Sequence, residues 1–515
     1  MAGNDRLSSA TENVPATSLP PSIDQSREVR SEENRDGEET TENESEELLT
    51  PRYVVQRIRI DGASRTAAGL IRREVGIRAG DLLVADDPTT DSIRWRLMAT
   101  GWFRDVRLSL ERGTERGQVI LVVRVRERNT LVIRNVFAGV SQRVSDSEDS
   151  SADPVPYGGL AIEEGNLWGR GLTLGAEALI SGPQQAGRIY SSYPSVRGLD
   201  LGLHSEIMLA NAREFFGTSP QVSIACTPEF LEEEEECPEE IEARNAVVFY
   251  RRLGFQFGGS TSLGTLGRFT LDWRGDLVRV RLRPSAASET RVGPSGEEDT
   301  RPIDFAIAPG SSLVSLLRVS YQYENRDHPL IPREGATFTL SSDFGAQLLG
   351  SDYEFVRVQA SFNRWAPIGQ QQYIRLGAFL GVVFGEAPFF YRFHIADLTD
   401  FIPSRIMGIS LDHRATPNLL STSVEWMRIE ERAMRLDFEY GYTVPLGRRR
   451  LNHLRLYGLV GLVGLGNKRD VYLGVEGYSG LSRLPLDLTL DLGIRFETPA
   501  GLFQIAFSNL LGFLP

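Results

Sequence analysis

From Arg483 to Glu497 the chain alternates without a break. Leu484, Leu486, Leu488, Leu490, Leu492, Ile494 and Phe496 stand against Pro485, Asp487, Thr489, Asp491, Gly493 and Arg495. A period of two sustained this long is a β-strand with one apolar and one charged face. Met434, Leu436, Phe438, Tyr440, Tyr442 and Val444 repeat it against Arg435, Asp437, Glu439, Gly441 and Thr443. Leu317, Val319, Tyr321 and Tyr323 repeat it against Arg318, Ser320, Gln322 and Glu324. Strands in soluble sheets usually run five or six residues, whereas a tilted strand crossing a bilayer needs about nine to eleven.

Alternation alone leaves open whether the apolar face meets a protein core or lipid, so a large soluble β-sandwich is the competing fold. Loop lengths decide between them. Short connections such as 366–370 and 497–501 alternate with long polar ones at 143–155, 212–243, 284–311 and 385–433. Short turns at one end and long loops at the other are the signature of a membrane barrel, whose sheet must close because lipid offers no partner to a strand edge. Fifteen strands are expected, at 131–141, 156–165, 171–182, 187–195, 199–211, 244–258, 264–283, 312–325, 335–346, 353–365, 371–384, 434–445, 454–465, 484–496 and 500–510. Bacterial barrels usually hold an even number, so about sixteen are expected in all, the missing one near 470–478 or inside 385–433.

The N-terminal part reads differently. Residues 24–47 are dense in Glu, Asp, Ser, Thr and Asn, a composition that cannot bury enough surface to offset its ordering entropy, so 1–50 is expected to be a disordered acidic tail. No basic segment followed by an apolar stretch marks a signal peptide there. Over 51–130 the order is strand (53–61), helix (67–75), helix (91–100), strand (103–110), strand (119–127), a small α+β domain. Gly101 sits where the second helix needs a left-handed residue to end it, and Trp102 and Phe103 are placed to pack where sheet and helices meet.

Acidic residues, 69 of them, outnumber 56 basic ones, and the net charge of −13 argues against nucleic acid as a partner. No apolar run is long enough for a membrane-spanning helix. No nucleophile elbow, His-Glu-x-x-His or phosphate-binding glycine loop is present, so neither an enzyme nor a cofactor is expected. His394, Asp397, Asp400, Asp412 and His413 share the long loop but lack a ligand spacing, and no metal is expected. Cys226 and Cys237 flank Glu232–Glu236 in one outer loop. A local disulfide suits an oxidising compartment, with a free pair or a metal site as the alternatives.

Several segments resemble the BamA and TamA superfamily of outer-membrane assembly proteins. The N-terminal domain resembles its POTRA module in Ile58–Gly62, Gly80, Gly101–Val106 and Val123–Glu127. The barrel resembles it in Glu164–Gly171, in Asn325–Gly335 and in Gly493–Gly501. The resemblance implies one POTRA domain (51–130, with Gly62, Gly80, Gly101 and Phe103 as structural positions) followed by a transmembrane β-barrel (131–515). It also implies a lumen loop (385–433) whose arginine motif is here the degenerate Arg405-Ile-Met-Gly408. Glu439 matches the wall glutamate that would meet Arg405, the alternative being two separately solvated lumen charges. Leu459-Val460-Gly461 stands where a second carboxylate is expected.

The function implied is insertion of client strands at a weak seam between the first and last barrel strands. The partners implied are the outer-membrane bilayer, unfolded outer-membrane or secreted polypeptides, and periplasmic accessory proteins, with the POTRA domain in the periplasm. A secretion pore or passive surface barrel is the alternative.

Overall fold

The computed structural model describes residues 52–84, 93, 94, 97, 98, 100–142, 154–193, 196, 199–216, 246–264, 266–283, 287–292, 296, 298–327, 332–398, 405–410, 418–426, 428–448, 451–475, 477–498 and 501–508. The acidic segment 1–50, Cys226, Cys237, Asp400, Asp412 and His413 lie outside them.

Two large sheets dominate the described residues. The first holds β1 (Arg52–Asp61), β2 (Leu82–Val84), β3 (Phe103–Arg112) and β4 (Gln118–Glu127) in the order β2-β1-β4-β3. β1 runs parallel to β4, and the other ladders are antiparallel. Helix α1 (Ala68–Val75) buries Leu70, Ile71 and Val75, and Gly76 ends it in a left-handed conformation, its N–H turned back to the Arg72 and Arg73 carbonyls. Ile93, Arg94, Leu97 and Met98 are helical, as the sequence pattern predicts, and Ile93 and Leu97 are fully buried. The short strand β2 was not expected. Gly80 (φ +97°) turns the chain there and donates its N–H to the Val55 carbonyl, which brings Leu82–Val84 alongside β1.

Gly62 has φ +88°, and a Cβ there would lie 2.2 Å from the Val125 carbonyl oxygen, so β1 can leave the sheet against β4 only through glycine. Gly101 (φ +72°) reverses the chain after the second helix and delivers Trp102 and Phe103 into the core, their rings edge to face at 6.2 Å.

The second sheet is antiparallel and contains fifteen strands. In chain order these are β5 (Leu131–Gln142), β6 (Pro154–Leu167), β7 (Leu172–Ser181), β8 (Gln184–Tyr193), β9 (Gly202–Phe216), β10 (Ala246–Leu263), β11 (Gly267–Arg283), β14 (Gly310–Glu324), β15 (Gly335–Gly345), β16 (Phe355–Pro367), β17 (Gln372–Gly385), β22 (Arg432–Arg448), β23 (Leu451–Gly466), β24 (Leu486–Thr498) and β25 (Gly501–Ser508). The numbers between belong to loops. β12 (Ser288–Val292) and β13 (Glu298–Pro302) form a hairpin, and β18 (Phe393–His394), β19 (Arg405–Ile406), β20 (Ile409–Ser410) and β21 (Ile429–Glu430) are two-residue pairs. Every strand is hydrogen-bonded to its sequence neighbour in the sheet, so the topology is a simple meander.

Among the described residues neither segment expected to supply a sixteenth strand adds one to the sheet. Residues 468–473 form a short helix, α2 (Lys468–Leu473), capped by the Asn467 side chain on the Asp470 N–H. The described part of 385–433 holds only the two-residue pairs and single 3-10 turns. Asn467 is a natural N-cap, and a cap closes helix rather than strand.

The sheet is inverted relative to a soluble protein. Ile162, Leu209, Phe257, Trp273, Leu277, Leu380, Phe384, Leu436, Phe438 and Leu492 lie exposed on its outer face. Glu177, Asp276, Arg318, Asp343, Arg357, Arg435, Asp437 and Glu439 are buried on the inner one. That is the arrangement of a barrel in lipid with a polar lumen. The loop between β17 and β22 touches β11 through Tyr391 and β24 through Leu419 and Leu420, so the sheet curves round it.

Replacing Gly62 with alanine should destabilise the N-terminal sheet by roughly 1–3 kcal/mol, the cost of a strained left-handed residue, with the Val125 contact adding to it. Gly101→Ala, where the added methyl meets no atom within 4 Å, should cost about 1–2 kcal/mol. Hydrogen exchange of the β4 amides in the full chain checks both.

Candidate functional site: the lumen and the domain joint

Long loops fill the outer half of the lumen. Phe389, Phe390, Tyr391 and Phe393, just after β17, are all buried, and Phe389 packs edge to face on Tyr250 of β10 and Phe216 of β9. Phe305 and Ile307, from the connection before β14, complete the same cluster. Where this aromatic mass meets the wall, the Tyr391 hydroxyl donates to Asp276 Oδ2 at 2.5 Å and Arg252 donates to the same oxygen at 2.9 Å. The Arg252 guanidinium also lies over Phe390, 4.7 Å from the ring centre. Asp276 is fully buried, so it can keep its charge only because Arg252 and Arg274 (3.3 Å) supply the opposite one.

The tip that carries the degenerate motif is a tight hairpin. Arg405 pairs with Ser410 and Ile406 with Ile409, the turn being made by Met407 and Gly408, both left-handed (φ 48° and 80°). The Tyr250 hydroxyl donates to the Gly408 carbonyl at 2.5 Å, and β20 lies beside β8 and β9. Further along the loop, the N–H groups of Leu419 and Leu420 donate to the two Asp487 oxygens at 3.0 and 2.9 Å. The loop is thus fastened at two walls.

Glu439 stands at another place. It is fully buried and holds Arg495 (Nη1 to Oε1, 2.8 Å), Arg375 (Nε to Oε2, 3.2 Å) and the Tyr373 hydroxyl (2.7 Å). Arg375 lies directly opposite Glu439 in the β17–β22 register, and Arg495 reaches it from β24. Tyr373 lies over Gly441, where a Cβ would come within 2.1 Å of its ring, and the Tyr373 ring in turn supports Arg455 at 4.6 Å. Arg455 donates to the Pro332 carbonyl at 2.7 Å and so ties the Asn325–Gly335 turn into the lumen. Gly408 meets β10, six strands round the sheet from β22.

The described partners of Glu439 are thus Arg495, Arg375 and Tyr373, while the side chain of Arg405, expected to meet it, lies outside what the structure describes. Where a second wall carboxylate was expected, Gly461 leaves the space that Asp437 Oδ1 occupies, 2.8 Å from where a Cβ would sit.

A second constellation joins the two domains. The β6–β7 turn, Glu164–Gly171, presses against the N-terminal domain. Asn166 Nδ2 donates to Thr66 Oγ1 (2.9 Å), the Ala67 N–H to the Gly169 carbonyl (2.9 Å), and the Trp102 indole N–H to the Gly165 carbonyl (3.0 Å). A Cβ on Gly169 would fall 1.8 Å from the Arg65 carbonyl, and one on Gly171 would fall 2.8 Å from the Trp102 ring. Glu127, at the end of β4, accepts from the Ser64 N–H and hydroxyl and from the Arg65 and Thr66 N–H groups. Burial works against its charge, but the bonds from Thr66, Ser64 and Arg65 outweigh it and hold the carboxyl down at about 2, from an ordinary 4.5. The Trp102 that the sequence placed in the domain core also bridges to the barrel.

Two family models match: an Omp85 superfamily domain over residues 166–396, and the POTRA model, described as a surface antigen variable number repeat, over 53–128. The chain belongs to the BamA/TamA superfamily. Like other members it pairs a POTRA domain with an outer-membrane β-barrel. It is 21% identical over 371 residues to the outer membrane protein assembly factor BamA of Nitratidesulfovibrio vulgaris, a match that takes in 70% of this chain and 40% of that relative's length. The crystal structure of BamA from Haemophilus ducreyi lacking POTRA domains 1-3 aligns with a TM-score of 0.52 at 14% identity, over 88% of this chain and 80% of that one. CdiB from Escherichia coli aligns at a TM-score of 0.46 and 8% identity, over 92% and 88% of the two chains.

Sequence reasoning missed Arg375, Arg495, Arg252, Asp276, Tyr391 and the Asn166–Thr66 joint. The alternation marked Arg495 as inward but could not say which carboxylate it meets. Among the described residues no group of metal-ligating side chains is present.

Glu439→Ala leaves two arginines facing each other in the wall and should destabilise the barrel by on the order of 3 kcal/mol. Heat-modifiability on semi-native gels reads this. Because Glu127 titrates lower in the folded chain than unfolded, its contribution is complete above about pH 4.5 and is lost as the pH falls towards 2. Amide protection at Ser64–Thr66 should follow that window, and Glu127→Gln should remove the dependence.

Proposed function

We propose that the protein is an outer-membrane assembly factor that templates strand insertion of client polypeptides at the seam between β5 and β25, with the POTRA domain in the periplasm. The observation that carries this reading is the state of the sheet's ends. Among the described residues β5 pairs only with β6, and β25 only with β24. Two edges that offer backbone donors and acceptors beside lipid are a template for an arriving strand, because in a bilayer an unpaired edge is costly. The POTRA sheet has its own long edge, β3, to which an unfolded segment can add by strand pairing before it reaches the seam. No nucleotide is needed, since the bonds gained by the client drive the step. The seam partners in this reading are unfolded outer-membrane or secreted polypeptides, and the POTRA surface is where periplasmic accessory proteins would meet the chain.

The aromatic mass at the outer end of the lumen weighs against an open conduit. Phe389, Phe390, Tyr391 and Phe305 belong to one buried cluster together with wall residues such as Tyr250, Val278 and Val314.

The test is reconstitution of the full chain into liposomes and measurement of the folding rate of an unfolded barrel substrate against empty liposomes, with Glu439→Ala and Arg405→Ala alongside. The expected result is acceleration by the wild type with little ion conductance. Steady conductance without acceleration would overturn the reading and make the barrel a secretion pore or passive channel.

A further inference from the structure

The turn that grips the POTRA domain also carries the most exposed tryptophan described. Between buried Asn166 and buried Gly169, Trp168 takes a left-handed backbone (φ +55°), uncommon for a bulky residue, and remains 77% exposed. Its backbone is fixed from both sides: Asn166 is bonded to Thr66, and the Gly169 carbonyl accepts from Ala67. The indole is therefore held away from the POTRA domain by the same contacts that hold the domain on. Next to it Arg170 is exposed as well.

Three other turns at this end of the barrel also present large apolar side chains: Leu199 (62% exposed) between β8 and β9, Leu263 (59%) at the last position of β10, and Ile368 (56%) between β16 and β17. This rim is continuous with the lipid-facing surface above it, since Ile162 on β6 and Leu174 on β7 are exposed on the outer face beside the Trp168 turn. An indole with a polar edge and a guanidinium that can reach phosphate are the side chains that settle at the headgroup level of a bilayer.

We infer that Trp168 and Arg170 form a headgroup-binding tip that enters the POTRA-side leaflet, so that one turn fastens the POTRA domain to the barrel and to the membrane surface together. The occupant of this surface is phospholipid. The inference rests on the membrane reading of the barrel, and the experiment separates failure of the one from failure of the other.

The full chain is reconstituted into phosphatidylcholine vesicles brominated either at acyl carbons 6 and 7 or at carbons 11 and 12. The emission of Trp168 is taken as the difference between wild type and Trp168→Phe, and that of Trp273, on the outer face of β11, as the difference from Trp273→Phe. The expected result is at least twofold quenching of the Trp168 component by the shallow label, with less by the deep one, and Trp273 quenched by either. If Trp273 is quenched and Trp168 is not, or Trp168 responds more to the deep label, the headgroup tip is overturned while the barrel reading stands. If neither responds, the barrel is not in the bilayer and both fall.

Discussion

A charge sealed from water must meet its opposite, and the interior of this barrel is organised by that requirement. Loops enter the lumen and exclude solvent, so Asp276, Asp343 and Glu439 sit at the bottom of the exposure scale. Each is answered by arginine: Asp276 by Arg252, Asp343 by Arg318 at 2.6 Å, Glu439 by Arg495 and Arg375. Arginine suits the role because its planar fork can serve two carboxylate oxygens and still lie flat on an aromatic ring, as Arg252 does on Phe390. Removing one partner of such a pair is far more costly than the pair is worth, because it leaves an uncompensated charge buried.

Much of the architecture was legible beforehand because lipid outside and charge inside enforce a strict period of two. All fifteen expected strands are present; β10 runs on from the expected 258 to Leu263 and β22 from 445 to Arg448, whereas β11 starts only at Gly267. The extra length of β10 escaped notice at Gly259-Ser-Thr-Ser-Leu263, where small and polar residues carry no apolar alternation. The POTRA domain was legible through its glycines, since a left-handed position such as Gly101 punctuates the pattern sharply.

The site was less legible. A period of two says which face a residue takes, not which strand neighbours it or at what register, and ion pairing depends on both. Arg375 was not singled out, although it stands directly opposite Glu439. The loop motif pointed to Arg405 alone, and nothing in it named the cross-strand arginines Arg375 and Arg495 that hold Glu439. The joint was invisible for another reason: Asn166 and Thr66 are one hundred residues apart, and only the folded turn shows that Gly169 and Gly171 are glycines because the other domain passes so close.

The described residues give the sheet fifteen strands, an odd number, and that has a directional consequence. In a meander each strand reverses the last, so β5 and β25, first and fifteenth, run the same way. The other ladders of this sheet are antiparallel, and two edges with a common heading cannot join by that pattern. They could meet only through slanted parallel bonds, slightly weaker per residue. A single strand of opposite heading could instead pair with both at once. The polarity of the edges therefore selects the orientation of whatever lies between them.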